Sequence, residues 1–439
     1  MNIIAIIIGK ITIFFGNILH RGSSLPGKLA LKIDKKLLSK LEYPSIRIAV
    51  TGSSGKGSTC NLIANVLKDN GYSICFNDAG SNLAWGTTSS FLRKCNLFGK
   101  IKTDVLLIEV DERYTKEIFK DLKPTHLVIT NITKDQPPRQ HHVDTIYNEI
   151  LKSVQNNSLI ITNMDEPYLR KFEKDTNNKI LYYSIAKNKY SYKTQIFENL
   201  NIYYCPYCDN LLTYNYYNFE SLGKYKCNKC EFEYKEPVVI GKNLDLENEK
   251  ITINDSIINI GGDMLYHAYN TIAAYTTLID IGIKEDDVVD SINKFNIYAD
   301  KSFIRDNKSY YAMSCKAENS TTYNQAVFKI IRNKEKKDII IGWKEISRRY
   351  NHFDVSWLYD IEFELLNNKT LNKIYACGID KENIKKRLIL AGIPEEKIIT
   401  SDNLEEIKEK VLKSEAKYIF GILNFDYIVP FNNVFKEDI

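Results

Sequence analysis

The stretch VTGSSGKGST, residues 50–59, is the clearest indication of the fold of this chain. The apolar residues Ile46, Ile48 and Val50 alternate into it, which predicts a short β-strand, and apolar residues at helical spacing follow it. Glycines let a backbone turn tightly, so that successive N–H groups point at phosphate oxygens, and the following helix adds its positive N-terminal end. Strand, loop and helix together predict a phosphate-binding loop.

Within this loop, Lys56 can reach the β- and γ-phosphates of a nucleotide, and the Ser58 hydroxyl can ligate Mg²⁺. The spacing is shorter than the common G-x-x-x-x-G-K-[ST], and a glycine follows the lysine. The alternative is a Gly/Ser-rich turn without a ligand, but the flanking strand and helix favour phosphate binding. The predicted phosphate-binding residues are Gly52, Ser53, Ser54, Gly55, Lys56, Gly57, Ser58 and Thr59.

Apolar runs at 104–110, 125–131 and 158–163 predict further buried strands, separated by stretches of helical length. Strands that alternate with helices predict an α/β fold with a doubly wound, mostly parallel sheet. A similar alternation begins again near residue 300 and predicts a smaller α/β domain. The predicted organisation is a helix and linker over 1–44, a central nucleotide-binding domain over 45–298 with an insertion at 200–237, and a C-terminal domain over 299–439.

Composition narrows the class of protein. Of the 439 residues, 44% are hydrophobic and 26% are charged, as in ordinary globular proteins. The net charge of +5 is small, which argues against a dedicated nucleic-acid surface. Nine cysteines, an odd number, predict a reducing, cytoplasmic setting.

The first 19 residues are apolar but are interrupted by Lys10 and two glycines. A transmembrane helix needs about 20 mostly apolar residues, so a span is marginal here. We therefore expect a helix buried on the following domain, with membrane contact as the alternative.

Two acidic residues, Glu109 and Asp111, lie at the carboxyl end of the predicted strand at 104–110. Open α/β sheets bind their ligands at the carboxyl ends of the strands. A hard cation that bridges phosphates takes oxygen ligands of this kind. The two acids are therefore candidate Mg²⁺ ligands, and the alternative is that they are solvated loop acids.

Four cysteines form two Cys-x-x-Cys pairs, with eighteen residues between the pairs. Four thiolates at this spacing can surround Zn²⁺ tetrahedrally, as in zinc ribbons. Such a site has no open coordination position, so its role would be structural. Free core cysteines or an iron–sulfur centre are the alternatives. The predicted zinc ligands are Cys205, Cys208, Cys227 and Cys230.

Together these motifs resemble the MurT family of the Mur ligase superfamily, although the glycine after Lys56 resembles the folylpolyglutamate-synthase style of this loop. The resemblance covers nearly the whole chain. It implies a Mur ligase-type central domain with a parallel sheet and P-loop, an inserted four-cysteine zinc ribbon and a Rossmann-like C-terminal domain. Further matching segments are AGSNLAWG (79–86), EVDE (109–112), TNITKDQ (130–136), NMDEP (163–167) and DVSWLYDIEFE (354–364).

The resemblance implies an ATP-dependent carbon–nitrogen ligase subunit of peptidoglycan synthesis. Such a subunit activates the α-carboxylate of D-glutamate in the lipid II stem peptide, and a GatD-type glutaminase partner supplies the ammonia that converts it to D-isoglutamine. The implied cofactors are ATP, Mg²⁺ and structural Zn²⁺. The implied location is the cytoplasm, with peripheral contact at the inner face of the membrane through the substrate.

Residue roles follow from the same resemblance. Lys56 would contact the phosphates, and Ser58 and Glu109 would ligate Mg²⁺. Asp354 would complete the Cys–His site of the glutaminase across the interface, which makes Asp354, Lys56 and Glu109 the implied catalytic residues. A helix N-cap is the equally weighted alternative for Asp354. The remaining residues that match family positions near nucleotide, metal or substrate are Asn82, Asn131, Asp135 and Asn270.

The chain departs from the family pattern at 137–142 and at 296–306, where a usual Gly-Arg pair is missing. A third family segment survives only as Lys316, Asn324 and Gln325. These departures fall on substrate and domain-closure elements rather than on the ATP loop. They keep two alternatives open: a divergent Mur or folylpolyglutamate-synthase-like ligase that acts on another carboxylate, and a non-catalytic scaffold subunit.

Overall fold

The computed structural model describes residues 3–18, 24–77, 83–135, 142–295, 302–343 and 354–436. The helices in these ranges are α1 (Ile3–Ile18), α2 (Leu25–Ile33), α3 (Lys56–Asp69), α4 (Ala84–Lys94), α5 (Thr115–Leu122), α6 (Val143–Leu151), α7 (Lys171–Asp175), α8 (Leu265–Asp280), α9 (Glu285–Lys294), α10 (Ser320–Arg332), α11 (Lys381–Leu390), α12 (Leu404–Leu412) and α13 (Phe425–Phe435). The strands are β1 (Ile46–Thr51), β2 (Ile74–Phe76), β3 (Val105–Glu109), β4 (His126–Ile129), β5 (Leu159–Asn163), β6 (Ile180–Ile185), β7 (Leu212–Phe219), β8 (Leu222–Cys227), β9 (Val239–Asp245), β10 (Lys250–Ile253), β11 (Ser256–Asn259), β12 (Ser302–Arg305), β13 (Lys308–Cys315), β14 (Lys337–Trp343), β15 (Leu371–Gly378), β16 (Ile398–Ser401) and β17 (Tyr418–Asn424).

A nine-stranded sheet forms the central part of the chain, in the order β11-β10-β9-β6-β5-β4-β1-β3-β2. Its strands are parallel from β2 to β9, and β10 and β11 add an antiparallel edge. Helices α3, α8 and α9 cover one face, and α4, α5 and α6 cover the other. Because both faces are covered, the strands read as continuous apolar runs. The predicted doubly wound, mostly parallel sheet is confirmed.

A second sheet of six strands follows, in the order β12-β13-β17-β14-β15-β16. Five of these strands are parallel, and β12 is an antiparallel edge. Helices α10 and α11 pack on one face, and α12 and α13 pack on the other. This Rossmann-like arrangement agrees with the prediction for the C-terminal region. Strands β14, β15 and β17 are apolar stretches of the alternation that begins near residue 300.

Strands β7 and β8 follow β6 and precede β9 along the chain. They form a separate antiparallel ribbon outside the central sheet, in which β6 and β9 are neighbours. The Cys-x-x-Cys pairs lie at the open end of the ribbon, because Cys227 pairs with Leu212 across the ladder. Glu220 and Ser221 make the turn at the opposite end, with Glu220 at a positive φ of 41°.

Helix α1 corrects one expectation. It packs on α2 and α4 through one side only, where Ala5 and Ile6 are fully buried. Ile4, Phe14 and Ile18 on its other side are exposed, so the helix is half-buried rather than buried. Of the helices in the described ranges, none is long and apolar enough to cross a membrane.

Candidate active site

The loop after β1 has the backbone of a phosphate-binding turn. Gly52 and Gly55 have φ values of 129° and 81°, in the region that favours glycine. A side chain at either position would also collide with a neighbour, since a Cβ on Gly52 would meet the Thr130 hydroxyl and one on Gly55 would meet the Asn270 amide. Helix α3 begins directly at Lys56, so its first N–H groups face the loop.

Asn131 fixes the shape of this loop. The Ser54 N–H donates to Asn131 Oδ1 at 3.0 Å, and Asn131 Nδ2 donates back to the Ser54 carbonyl at 3.0 Å. The neighbouring Ser53 hydroxyl donates to the Thr133 carbonyl at 3.1 Å and accepts from the Thr133 N–H at 2.9 Å. The side chains of Ser53 and Asn131 therefore hold the loop against the segment after β4.

Lys56 is buried and ion-paired. Its ammonium donates to Glu112 Oε1 at 2.9 Å and to the Gly52 carbonyl. Burial alone would lower the pKa of Lys56, but the charge of Glu112, with contributions from Glu109 and Asp135, reverses the direction and raises it. Lys56 is therefore held as a cation directly under the loop.

Glu112 is a site residue that the sequence analysis did not single out. It is buried in the short 3-10 helix Glu112–Tyr114 that follows β3. Asp111, which the sequence analysis did single out, pairs instead with Arg113, whose Nε donates to Asp111 Oδ1 at 2.8 Å. In the sequence, Glu112 is the third acid of the pattern E-x-D-E at 109–112, and this pattern could have marked it as a site residue.

Glu109 lies beside the first turn of α3, the turn that also contains Ser58. A Cβ built on Gly57 would lie 3.2 Å from Glu109 Oε2, so the missing side chain at position 57 leaves room for this carboxylate beside the helix. Ser58, one residue further, lines the cavity described below. A hydroxyl and a carboxylate oxygen are the hard donors that Mg²⁺ takes, so the residues present fit this ion.

A cavity of about 310 Å³ opens beside the loop, between the central sheet, the ribbon turn and the C-terminal part of the chain. This volume is within the range of small-molecule sites. Aromatic and apolar side chains form part of the wall, and polar side chains face them. The residues that line the cavity include Ser54, Gly55, Ser58, Asn131, Glu166, Phe219, Glu220, Tyr266, Tyr269, Asn270, Lys316 and Gln325.

Two buried carboxyl groups, Glu166 and Glu220, line this cavity. Burial raises the pKa of Glu166 to about 8, although the Ile132 N–H donates to its Oε1 at 2.9 Å. Burial also raises the pKa of Glu220 to about 7, although Asn324 Nδ2 donates to its Oε1 at 2.9 Å and Asn201 Nδ2 to its Oε2 at 2.9 Å. Neither Glu166 nor Glu220 has a role that the sequence patterns predict.

The C-terminal part of the chain reaches over the loop through Lys316. Its ammonium donates to Asp135 Oδ2 at 2.5 Å and to the Ser53 carbonyl at 2.7 Å. Asn319 supports the same contact, since its Nδ2 donates to Asp135 Oδ1 at 3.1 Å. Lys316 and Asp135, both noted in the sequence, therefore meet beside the phosphate loop.

Asp354 lies near this contact. The Ser356 N–H donates to Asp354 Oδ1 at 2.9 Å, a local turn at the start of the 3-10 helix Ser356–Asp360. Burial, with the nearby charges of Asp135 and Asp354, raises the pKa of Glu318 to about 7. The N-cap position of that helix is Val355, so Asp354 does not occupy the N-cap that was one of its two expected roles and makes a local turn contact instead. Asn82 and residues 137–141 fall outside the described residues.

The four cysteines of the ribbon form a compact cluster. All four Sγ atoms lie within 4.8 Å of one another, with Cys205 and Cys230 at 3.6 Å and Cys208 and Cys227 at 3.5 Å. Tetrahedral Zn–S bonds of about 2.3 Å place sulfur atoms about 3.8 Å apart, so the residues fit Zn²⁺. In the described part of the chain, no other group of His, Cys, Asp and Glu side chains is arranged to hold a metal.

Comparison with known proteins gives the family. A family model described as the Mur ligase middle domain matches residues 50–225, and one described as MurT ligase C-terminal matches residues 317–425. The MurT subunit of lipid II isoglutaminyl synthase (glutamine-hydrolyzing) from Staphylococcus aureus strain COL is 29% identical over 420 residues, which cover 93% of this chain and 92% of that protein. The subunit of the same name from Streptococcus pneumoniae is 26% identical over 98% of this chain and 96% of its own length.

The solved structures agree on the fold. A pseudomurein peptide ligase type C from Methanothermus fervidus superposes with a TM-score of 0.68, covering 92% of this chain and 80% of its own, at 17% identity. The two family matches lie on the two sheets, with the phosphate loop in one and Lys316 just before the other. The chain belongs to the Mur ligase superfamily as a divergent member of the MurT family, and it is an ATP-dependent ligase subunit.

Proposed function

We propose that this subunit activates the α-carboxylate of D-glutamate in the lipid II stem peptide, for amidation to D-isoglutamine in peptidoglycan synthesis. The observation that carries the proposal is the buried Lys56 beneath a glycine loop, with Glu109 beside it and Lys316 reaching over it from the C-terminal domain. The near full-length similarity to MurT subunits supports this choice of substrate.

The loop supplies the phosphate site. Lys56 exchanges its ion pair with Glu112 for the β- and γ-phosphates of ATP, and the N–H groups at the start of α3 contribute further donors. Because Lys56 is buried, its charge acts on the transferring phosphoryl group with little screening. Asn131 and Ser53 keep the loop in the required shape.

Ser58 and Glu109 would hold Mg²⁺, which supplies charge neutralisation on the phosphates during transfer. The four ribbon cysteines would hold Zn²⁺ with no open position, and its contribution is structural. Both assignments rest on the donor sets described above.

The proposed amidation has two steps. A carboxylate oxygen attacks the γ-phosphorus of ATP, and the bond between that phosphorus and the β–γ bridging oxygen breaks. ADP departs with the bridging oxygen, and the carboxylate has become an acyl phosphate. Ammonia then attacks the acyl carbon, inorganic phosphate departs with the C–O electron pair, and the nitrogen loses a proton to give the amide. Phosphorylation is needed because a carboxylate is a poor electrophile. Lys316, which contacts Asp135 beside the loop, would bind the departing phosphate.

The ammonia would come from a GatD-type glutaminase subunit. Asp354 lies just before the 3-10 helix Ser356–Asp360, is partly exposed, and would act as a positioning residue for a histidine of that partner. The bond that its Oδ1 accepts from the Ser356 N–H fixes the orientation of the carboxylate for this role.

The test combines the full chain with a co-expressed glutaminase, ATP, glutamine and lipid II, followed by mass spectrometry of the stem peptide. We expect the glutamate carboxyl to become an amide, and Lys56→Met to abolish the conversion. Asp354→Asn should reduce glutamine hydrolysis in the complex, while amidation with added ammonium salt stays at the wild-type rate. Equal hydrolysis by the variant would leave Asp354 only its local turn contact with Ser356.

A second candidate is a ligase of the same class with another carboxylate substrate. The departures at 137–142 and 296–306 favour it, because they fall on substrate elements and not on the ATP loop. No amidation of lipid II, with ATP turnover stimulated by a different acid, would establish this candidate.

A further inference from the structure

Helix α1 presents two apolar sides, and only one of them is covered. On the covered side, Ala5 and Ile6 are fully buried, and Gly9 lies against Leu92 of α4. The Lys10 ammonium donates to the Leu92 carbonyl at 2.8 Å, which fixes the helix to the domain. Helix α1 is therefore a docked element with a defined outer side.

The outer side forms a continuous apolar stripe. Its residues recur every three or four positions, so they lie along one face of the helix. Their exposed fractions run from 38% to 63%. Monomeric proteins rarely leave an apolar patch of this extent in water unless it binds something. The outer stripe consists of Ile4, Ile7, Ile11, Phe14, Phe15 and Ile18.

The charged side chains on α1, α2 and α4 all have one sign. Residues 1–33 contain no Asp or Glu, and neither do residues 84–103, which include α4. The helices that α1 packs on expose cations, namely Lys28 and Lys32 on α2 and Arg93 and Lys94 at the end of α4. The overall chain is nearly neutral, so this uniform positive charge is local.

We propose that α1 lies in the surface of an anionic lipid bilayer, with the outer stripe inserted at the boundary between headgroups and acyl chains. An apolar face flanked by cations and free of acids is the pattern of interfacial helices on anionic lipid. Sixteen residues give a helix of about 24 Å, shorter than the hydrocarbon core of about 30 Å, so the helix lies along the surface. A protein partner is met by an aromatic-rich core with a polar rim, a pattern that does not call for flanking cations of one sign.

The experiment is sedimentation of the full chain with vesicles of phosphatidylglycerol and phosphatidylcholine in equal parts, and with vesicles of phosphatidylcholine alone. The chain should sediment with the first and much less with the second, and raising the salt should weaken binding. Phe14→Ser combined with Phe15→Ser should lower the vesicle partition coefficient at least about tenfold. Both side chains are exposed, so the thermal unfolding of the variant should match that of the wild type.

The matched control is Ile257→Ser combined with Ile304→Ser, two exposed apolar side chains on sheet edges away from α1. It should bind vesicles as the wild type does. Failure of the wild type to sediment with anionic vesicles, or equal loss in both double variants, would overturn the proposal. So would a dimer that the Phe14/Phe15 variant converts to a monomer, since a second copy would then cover the stripe. The vesicles contain no lipid II, so the result is independent of the proposed ligase reaction.

Discussion

Lys56 and Glu112 form a buried ion pair at the point where the phosphates of a nucleotide would bind. Removing one partner of a buried pair leaves an uncompensated charge, which typically costs more than the pair itself contributes. The same pair keeps the lysine charged and in place before ATP arrives. In the proposed mechanism, stability and catalysis both depend on Lys56, and mutation can separate the two effects.

Lys56→Met should lower ATP turnover at least about a hundredfold, because the transferring phosphoryl group loses its buried cation. It should also lower the free energy of unfolding by about 3 kcal/mol, since Glu112 is left unpaired. The double variant Lys56→Met/Glu112→Gln should regain most of that stability and none of the turnover. Turnover assays and urea unfolding measure the two effects, and wild-type turnover in the double variant would exclude Lys56 from catalysis.

Glu220 gives a pH dependence of stability. Its pKa rises from the ordinary 4.5 to about 7 on folding, so the folded state binds more protons than the unfolded state between these values. The contribution of Glu220 to the free energy of unfolding is therefore greatest below pH 4.5 and is lost as the pH rises through 7, a change of at most about 3 kcal/mol. Glu166, with a pKa of about 8, acts in the same direction.

Glu220→Gln stays neutral and keeps an acceptor oxygen for Asn324, so it should flatten part of this decline. Urea unfolding at about pH 5 and about pH 8, on either side of the raised pKa, measures the change. The control Glu117→Gln alters an exposed acid on α5 and should leave the pH dependence unchanged. An identical decline in Glu220→Gln and the wild type would show that Glu220 is already ionised at neutral pH in the folded chain.

The ribbon β7–β8 connects the cysteine cluster to the cavity. The cysteines lie at its open end, and the Glu220 turn at the other end contacts Thr321 and Asn324 of α10. A metal at the open end would therefore fix the position of the turn without touching substrate.

Cys205→Ser combined with Cys208→Ser should release bound zinc and lower the melting temperature by roughly 10 °C. Nucleotide affinity should fall several-fold because the Glu220 turn loses its support. Atomic absorption, thermal unfolding and nucleotide titration measure the three effects. The control Cys75→Ala removes a buried cysteine outside the cluster, so it should lose some stability but retain the metal. Folded wild-type protein without metal would contradict the prediction.

Sequence patterns predicted those elements whose signal is local. The phosphate loop, strands β3, β4 and β5 and the cysteine spacing could all be read in this way. Glu112, Glu166 and Glu220 could not, because their importance comes from partners such as Lys56 and Asn324, which only the tertiary fold brings near. The half-exposure of α1 was also hidden, since a helix that is apolar on both faces gives no periodic signal for which face is covered.

Several clusters of contacts join the C-terminal domain to the central domain, and two of them contain a lysine of the C-terminal domain. One of these clusters lies beside the phosphate loop, where Lys316 contacts Asp135 and the Ser53 carbonyl. The other is remote from the loop, where Lys329 of α10 pairs with Asp263 at 2.6 Å. The two lysines provide a matched pair for testing what domain contact contributes to the reaction.

Lys316→Met should lower kcat/KM for ATP turnover by about tenfold to a hundredfold, because a cation at the phosphate site and a domain contact are lost together. Lys329→Met loses a comparable contact between the domains but no charge near the loop, so its turnover should stay close to that of the wild type. Small-angle scattering should show similar radii of gyration for the two nucleotide-free variants. An equal loss of turnover in both variants would mean that Lys316 acts only by holding the domains together, and that its contact with the loop contributes nothing to phosphate chemistry.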